Sequence, residues 1–297
     1  MKQHLRPGVV CLAAFAAVFA LAGCDVKVGD DGGVSVDVAH GRASEEWKRT
    51  YTLAKGGRLE IVSGGGPVNV TASTGQMVEV QITRESRAST DEAAQQALAE
   101  ETISDEVAPD RVKVQTTRPR GENSGPFGRR RISTEYRVSI PPGLSVAIRG
   151  ENADVSLTDV EGQFTLDNTN GGFRAQGLSG SITATTVNGV IELDMERVTG
   201  EITATTINGP IRIGLPAGLN ATLEARTVNG NVTVDSDLPF TAAEQERLHV
   251  SGRFGNGGPA ITLNTTNGPV RISEAGGRGR GRRGGEPIVI ERRLQER

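Results

Sequence analysis

The segments S-I-T-A-T-T-V-N-G-V-I-E-L at residues 181–193 and E-I-T-A-T-T-I-N-G-P-I-R-I at residues 201–213 are two nearly identical copies of one pattern. Taking Asn188 and Asn208 as anchors, equivalents fall at Asn152, Asn170, Asn229 and Asn267, in steps of 18, 18, 20, 21 and 38 residues. The last step is close to two periods. Glycine follows most anchors, at Gly171, Gly189, Gly209, Gly230 and Gly268. Six residues before the anchors stand Val146, Phe164, Ile182, Ile202, Leu223 and Ile261. Three and five residues after them come further apolar pairs, among them Phe173 with Ala175, Ile191 with Leu193, Ile211 with Ile213 and Val270 with Ile272. A period of two on each side of a glycine-containing turn predicts two short half-buried strands per repeat. Self-similarity near twenty residues predicts a stacked array.

Asn-Gly between alternating strands also signals a type I′ hairpin, so two architectures compete. The outward position four after each anchor reads Ser156, Arg174, Glu192, Arg212, Thr233 and Arg271. In a parallel solenoid, coils stack about 4.8 Å apart. Arg174, Glu192 and Arg212 would then alternate in sign along one face and pair. Separate hairpins require no such alternation, and equivalent asparagines could stack their amides. The expected fold is all-β, a parallel β-solenoid with roughly 18–21 residues per coil.

The T-x-N-G-x-I/V-x-I/L repeats, with the late glycine-rich G-R-F-G-N-G-G, resemble the DUF4097 family of bacterial β-strand-repeat proteins, often labelled candidate adhesins. The resemblance covers residues 51–273. It implies a right-handed β-helix-like fold and brings no catalytic residues.

The chain starts with basic Lys2 and Arg6, then an apolar run from Val9 to Ala22 that is short for a bilayer span and fits a signal-peptide core. Leu21-Ala22-Gly23-Cys24 is similar to the bacterial lipobox. The similarity implies removal of residues 1–23 and lipid on Cys24, and several acyl chains would hold the protein at a membrane where one would not. Asp25 resembles an inner-membrane retention signal whose meaning varies among bacteria. Cys11 lies in the leader, so the mature chain would have no disulfide. Losing Lys2 and Arg6 makes the formal charge of −3 two units more negative, which argues against a general nucleic-acid binder.

Residues 24–50, rich in Asp, Gly and Ser, read as a flexible tether. Leu59, Ile61, Gly65, Val68 and Val70 match the repeat spacing with glycine at the anchor, which starts the β domain near Tyr51. Ser89 and Glu92 have capping-box spacing before A-A-Q-Q-A-L-A-E-E, so a short helix is expected to cover one end or side of the stack. Residues 119–131 read as a loop, and residues 241–248 as a helical turn or looped coil. Residues 274–297, Gly/Arg-rich, read as a disordered tail, with a final strand at Ile288 to Ile290 as an option.

Chemistry has few candidates. His40 and His249 alone survive processing, and without cysteines they compose no metal cluster, so no metal or cofactor is expected. Glu192, Asp194, Asp235 and Asp237 face outward by alternation and could supply a glycosidase pair. Trp47, Tyr51, Tyr136 and five phenylalanines are too few for an aromatic sugar platform, which favours solvated charges. Arg129–Arg131 and the tail arginines Arg278 to Arg283 could meet anionic lipid. Thr165, Thr183, Thr185, Thr203, Thr205 and Thr262 would form an array on one flat face, interrupted by Arg149, Asp167, Glu224 and Arg226. Such arrays resemble ice-binding solenoids, but threonine is simply a good strand former. The expectation is a non-catalytic, lipid-anchored envelope protein whose partners are the membrane, through Cys24, and an envelope protein or glycan.

Overall fold

The computed structural model describes residues 24–28, 34–38, 41–117 and 131–276. The expected leader, nearly all of the 119–131 loop, and the tail from residue 277 lie outside the described residues.

A separate antiparallel pair, β1 (Cys24–Val28) and β2 (Val34–Val38), sets Cys24 opposite Val38. The main sheet begins with β3 (Gly41–Tyr51), β4 (Arg58–Ser63), β5 (Val68–Ala72) and β6 (Val78–Ala88). Helix α1 (Asp91–Glu100) follows, then β7 (Thr102–Val107), β8 (Arg111–Thr117) and β9 (Arg131–Ile140). The repeats run through β10 (Leu144–Asn152), β11 (Val155–Thr158), β12 (Glu161–Asn170), β13 (Phe173–Asn188), β14 (Ile191–Asn208) and β15 (Ile211–Leu215). Last come β16 (Ala221–Asn229), β17 (Val232–Val234), β18 (Phe240–Gln245), β19 (His249–Phe254), β20 (Ala260–Asn267) and β21 (Val270–Glu274). From β3 onward these strands form one curled 19-stranded sheet.

The repeats pair in parallel, which decides for stacked coils over hairpins. Residues preceding the anchors form one ladder, with Phe164 opposite Ile182, Ile182 opposite Ile202, and Ile202 opposite Ile261. Residues following them form a second, with Phe173 opposite Ile191 and Ile191 opposite Ile211. The inward rows of both ladders meet in one apolar core in which nearly every expected repeat position is buried. Gly65 does occupy the first anchor position: Gly66 donates to the Asn152 carbonyl at 2.9 Å.

The corners explain T-x-N-G. Neither Gly189 nor Gly209 has the positive φ of a type I′ turn. Glycine is needed because a Cβ at Gly189 would lie 2.0 Å from the Gly171 carbonyl oxygen, and one at Gly209 2.0 Å from that of Gly189. The corner backbone hydrogen-bonds onward to the neighbouring coil, Gly189 N–H to the Asn208 carbonyl at 3.0 Å. The threonine two before Asn188, Asn208, Asn229 and Asn267 turns inward and caps a neighbouring carbonyl, as Thr206 Oγ1 does to Gly189 at 3.2 Å and Thr265 to Gly209 at 2.9 Å. The asparagines form an amide ladder: Asn188 Nδ2 donates to Asn170 Oδ1 at 2.8 Å, and Asn208 to Asn188 at 2.7 Å.

The coil order differs from the chain order. Asn267 donates to Asn208, and Asn229 donates to Asn267, each at 2.8 Å. The coil of β20 and β21 is therefore inserted between those of β14/β15 and β16/β17. The 38-residue step is the excursion that leaves this gap and returns to fill it. At the other end β8 and β9 pair outside β4 and β5, on which β10 and β11 stack from the inner side.

Three expectations need correction. The tether stretch holds the β1–β2 pair, and its end is β3, paired with β6 along its whole length from Gly41 opposite Ala88 to Tyr51 opposite Val78. The sheet therefore begins at Gly41, with Trp47 partly buried against the core and Tyr51 buried. The helix is capped by Thr90, whose side chain accepts from Ala93 N–H, rather than by Ser89. It packs on β3 and β6, where Arg84 donates to the carbonyls of Leu98 and Glu101. Residues 241–248 are neither helical turn nor looped coil: β18 and β19 form an antiparallel hairpin on β16, with Phe240 and Phe254 rings 5.0 Å apart.

Gly189→Ala should destabilise the fold by about 1–3 kcal/mol, because the backbone beneath must shift; chemical denaturation measures it. Thr206→Val should cost about 1 kcal/mol by leaving the Gly189 carbonyl without its hydroxyl partner, and Thr206→Ser should recover most of that loss.

Candidate binding surface

Outward residues of the first ladder alternate with the buried ones, so each coil offers a row of side chains about 4.8 Å from the next. Coil insertion changes what this face presents. Thr203 lies directly opposite Thr262 and Thr205 opposite Asn264, so Glu224 and Arg226 border the threonine array instead of interrupting it. Thr165, Thr183, Thr203 and Thr262 stand in register on consecutive coils. Among the described residues, Thr183, Thr185, Thr205, Thr262 and Asn264 have no side-chain partner, whereas the inward Thr186, Thr206, Thr227 and Thr265 each donate to a carbonyl.

Along one border runs a row that the sequence reading missed: Val187, Ile207, Thr266 and Val228, one residue before each anchor. Ile207 is 45% exposed and Val228 62%, two of the few large apolar side chains that are exposed among the described residues. The residue before the anchor in T-V-N-G and T-I-N-G was the available signal. Where Leu248 and His249 rise beside this row, an open trough of about 460 Å³ forms over Thr205, Ile207, Thr266 and Val228. Its rim is charged. Arg226 pairs with Glu224 at 2.7 Å, and His249 Nδ1 lies 3.1 Å from Glu244 while its Nε2 is 4.0 Å from Glu224.

The second ladder carries the expected charge alternation. Glu192 pairs with Arg212 at 2.8 Å and with Arg174 at 3.6 Å. The alternation ends there, because the inserted coil puts Arg271 opposite Arg212, and Arg271 turns to Asp235 at 3.1 Å. Of the candidate carboxylates, Glu192 is held by its two arginines, and Asp194 and Asp235 do not converge. Asp194 is opposite Gly214 and Gly214 opposite Ser273, with Asp235 one strand farther on, which separates the two by about 14 Å along the ladder. Glycosidase carboxyls stand about 5–9.5 Å apart. Asp194 instead accepts the Gly276 N–H at 3.2 Å. Among the described residues no group of three or more His, Cys, Asp or Glu gathers as a metal site would require. No described helix is long and apolar enough to cross a membrane. His40, Arg129, Arg130 and Arg278 to Arg283 lie outside the described residues, and of Cys24 only the backbone is described.

Both tyrosines serve the N-terminal end of the stack. Burial pushes the Tyr51 phenol well above its ordinary range, helped by its hydrogen bond to Asp105 at 2.9 Å. Burial likewise raises Tyr136, which donates to Thr116 at 2.5 Å.

This arrangement of stacked parallel coils around one apolar core defines a β-solenoid-like repeat protein. Residues 134–273 match the family model described as Toastrack DUF4097, and this segment belongs to that family. A candidate cell adhesion protein from Clostridium sporogenes is similar over 78% of this chain and 100% of its own, at 15% identity and a TM-score of 0.47. A candidate adhesin from Bacteroides fragilis is similar over 77% and 97%, at 13% identity and a TM-score of 0.35. A candidate lipid binding protein from Parabacteroides distasonis is similar over 76% and 96%, at 10% identity and a TM-score of 0.29. No curated protein matches the chain.

With only 2 tyrosines present, alkaline titration followed by phenolate absorbance reads both. Each should stay protonated past the ordinary tyrosine pKa of about 10. A raised folded pKa means this contribution to stability is full below the unfolded value and fades as pH rises from there toward the folded one. Tyr51→Phe should titrate only one residue and keep most of the stability.

Proposed function

We propose that the chain is a lipid-anchored bacterial envelope protein whose rigid β-repeat surface binds other envelope material, as an adhesin or scaffold does, without catalysis. The observation that carries this reading is the grid of uncommitted threonine and asparagine side chains on a stack whose corners are locked by glycine contact and amide pairing. Such a face is rigid without a ligand, so binding costs little ordering. The coil is taken as right-handed, the hand favoured when parallel strands are joined by a crossover.

The anchor rests on the L-A-G-C motif, the short apolar run before it and the acidic mature chain after it. Lipid on Cys24 would place the stack near the membrane surface, and many copies held there would bind a repetitive partner together more tightly than one alone.

Intact-mass analysis and membrane fractionation of the full-length protein beside Cys24→Ala test the anchor. The wild type should be cleaved before Cys24, carry acyl chains and sediment with membranes. The variant should be released or left unprocessed. A soluble, unacylated wild type would overturn the envelope reading.

A further inference from the structure

We propose that the outer face of the first ladder binds a neutral, linear, β-linked polysaccharide lying along the stack axis, with the trough beside His249 holding one end of the bound stretch. This deepens the envelope-binding reading above and rests on it.

Four observations point to that ligand class. The first is neutrality. The side chains of Thr183, Thr185, Thr205, Thr262 and Asn264 form an uncharged patch, with one carboxylate beside it, Glu201, which accepts from Thr203 at 3.5 Å, although 23% of the chain is charged. Charges collect at its borders, at Asp167 on one side and at the paired Glu224 and Arg226 on the other. A polyanion would find no counter-charge across the middle.

The second is the repeat distance. Equivalent hydroxyls recur about every 4.8 Å along the axis, so alternate coils lie near the two-unit repeat of an extended β-1,4-linked pyranose chain, whose successive units turn over. An extended peptide presents same-side groups only every second residue, about 6.6–6.8 Å apart, and drifts out of step. The third is chemistry: donor-and-acceptor hydroxyls and the Asn264 amide can match sugar hydroxyls in either sense. The methyl groups of Val187, Ile207 and Val228 offer the apolar border that a pyranose C–H face needs, with no aromatic residue among them.

The fourth is the boundary. The grid is open at the Asp167 side, but at the other end Leu248 and His249 form a wall, and the 460 Å³ between wall and floor lies in the range of small-ligand clefts. This end is built by the coil insertion, because β20 supplies Asn264 and Thr266 between the rows of β14 and β16.

The test is a methyl-resolved NMR titration of the full chain in detergent micelles. The probes are the β-1,4-linked hexamers of N-acetylglucosamine and of glucose, with polygalacturonate as the charged comparison. Methyls of Val187, Ile207 and Val228 should shift with at least one neutral hexamer and not with polygalacturonate. Thr205→Lys, a change at a partly exposed site, should weaken binding at least ten-fold, and Ile207→Glu should do the same. Arg174→Ala on the opposite ladder should leave it unchanged. Unperturbed methyls in the buried Ile202 row would confirm that each variant is folded.

Absence of shifts with both neutral hexamers, stronger binding of polygalacturonate, or binding that survives both Thr205→Lys and Ile207→Glu would each overturn the proposal. So would capture of a protein on this face with no response to either hexamer. Any of these would leave the anchored-binder reading standing if Cys24 is acylated, because the mass measurement does not depend on the ligand.

Discussion

At most corners of the stack a glycine Cα rests against the carbonyl of the neighbouring coil, closer than any Cβ could. Most of the fold follows from that contact. It brings successive coils into parallel register, which lets the asparagine amides pair and puts the buried threonine hydroxyl within reach of the same carbonyl. Three of the four letters in T-x-N-G thus serve one junction. The x position is the one left outside, and there the chain places Val187, Ile207 and Val228.

The coil register was legible because its signal is local and repeated. Alternation at Ile182, Ile191, Ile202 and Ile211 reports which side chains point inward, and hydrophobic burial enforces it since a one-residue slip would turn the row out to water. The opposite charges at Arg174, Glu192 and Arg212 carried the stacking direction, and the structure pairs them. Strand β3 was misread because Arg42, Glu45, Glu46, Lys48 and Arg49 give it the composition of a linker. Charges of this kind suit an edge strand, where they discourage pairing with another chain. Only Trp47 and Tyr51 hinted at its inner face.

The order of coils was harder to read, since Asn229 and Asn267 have equivalent sequences whether they are neighbours or not. A trace existed: Thr262 matches Thr203 more closely than Glu224 does. Likeness between rows can report spatial adjacency when distance along the chain does not. The trough had no such trace, because it needs Leu248 and His249 from a hairpin whose strand pattern, F-T-A-A-E-Q, is mostly polar and exposed.

The insertion of β20 and β21 also bears on how the chain is assembled and where it can be cut. A protein synthesised from its N-terminus reaches β16 and β17 before the strands that must lie beneath them exist. The final coil then has to be deferred until residues 260–274 arrive, which lengthens the sequence separation of its contacts and slows that step. Proteolysis within the glycine-rich link 255–258 would likewise remove an interior layer of the stack, leaving two apolar coil faces with nothing between them.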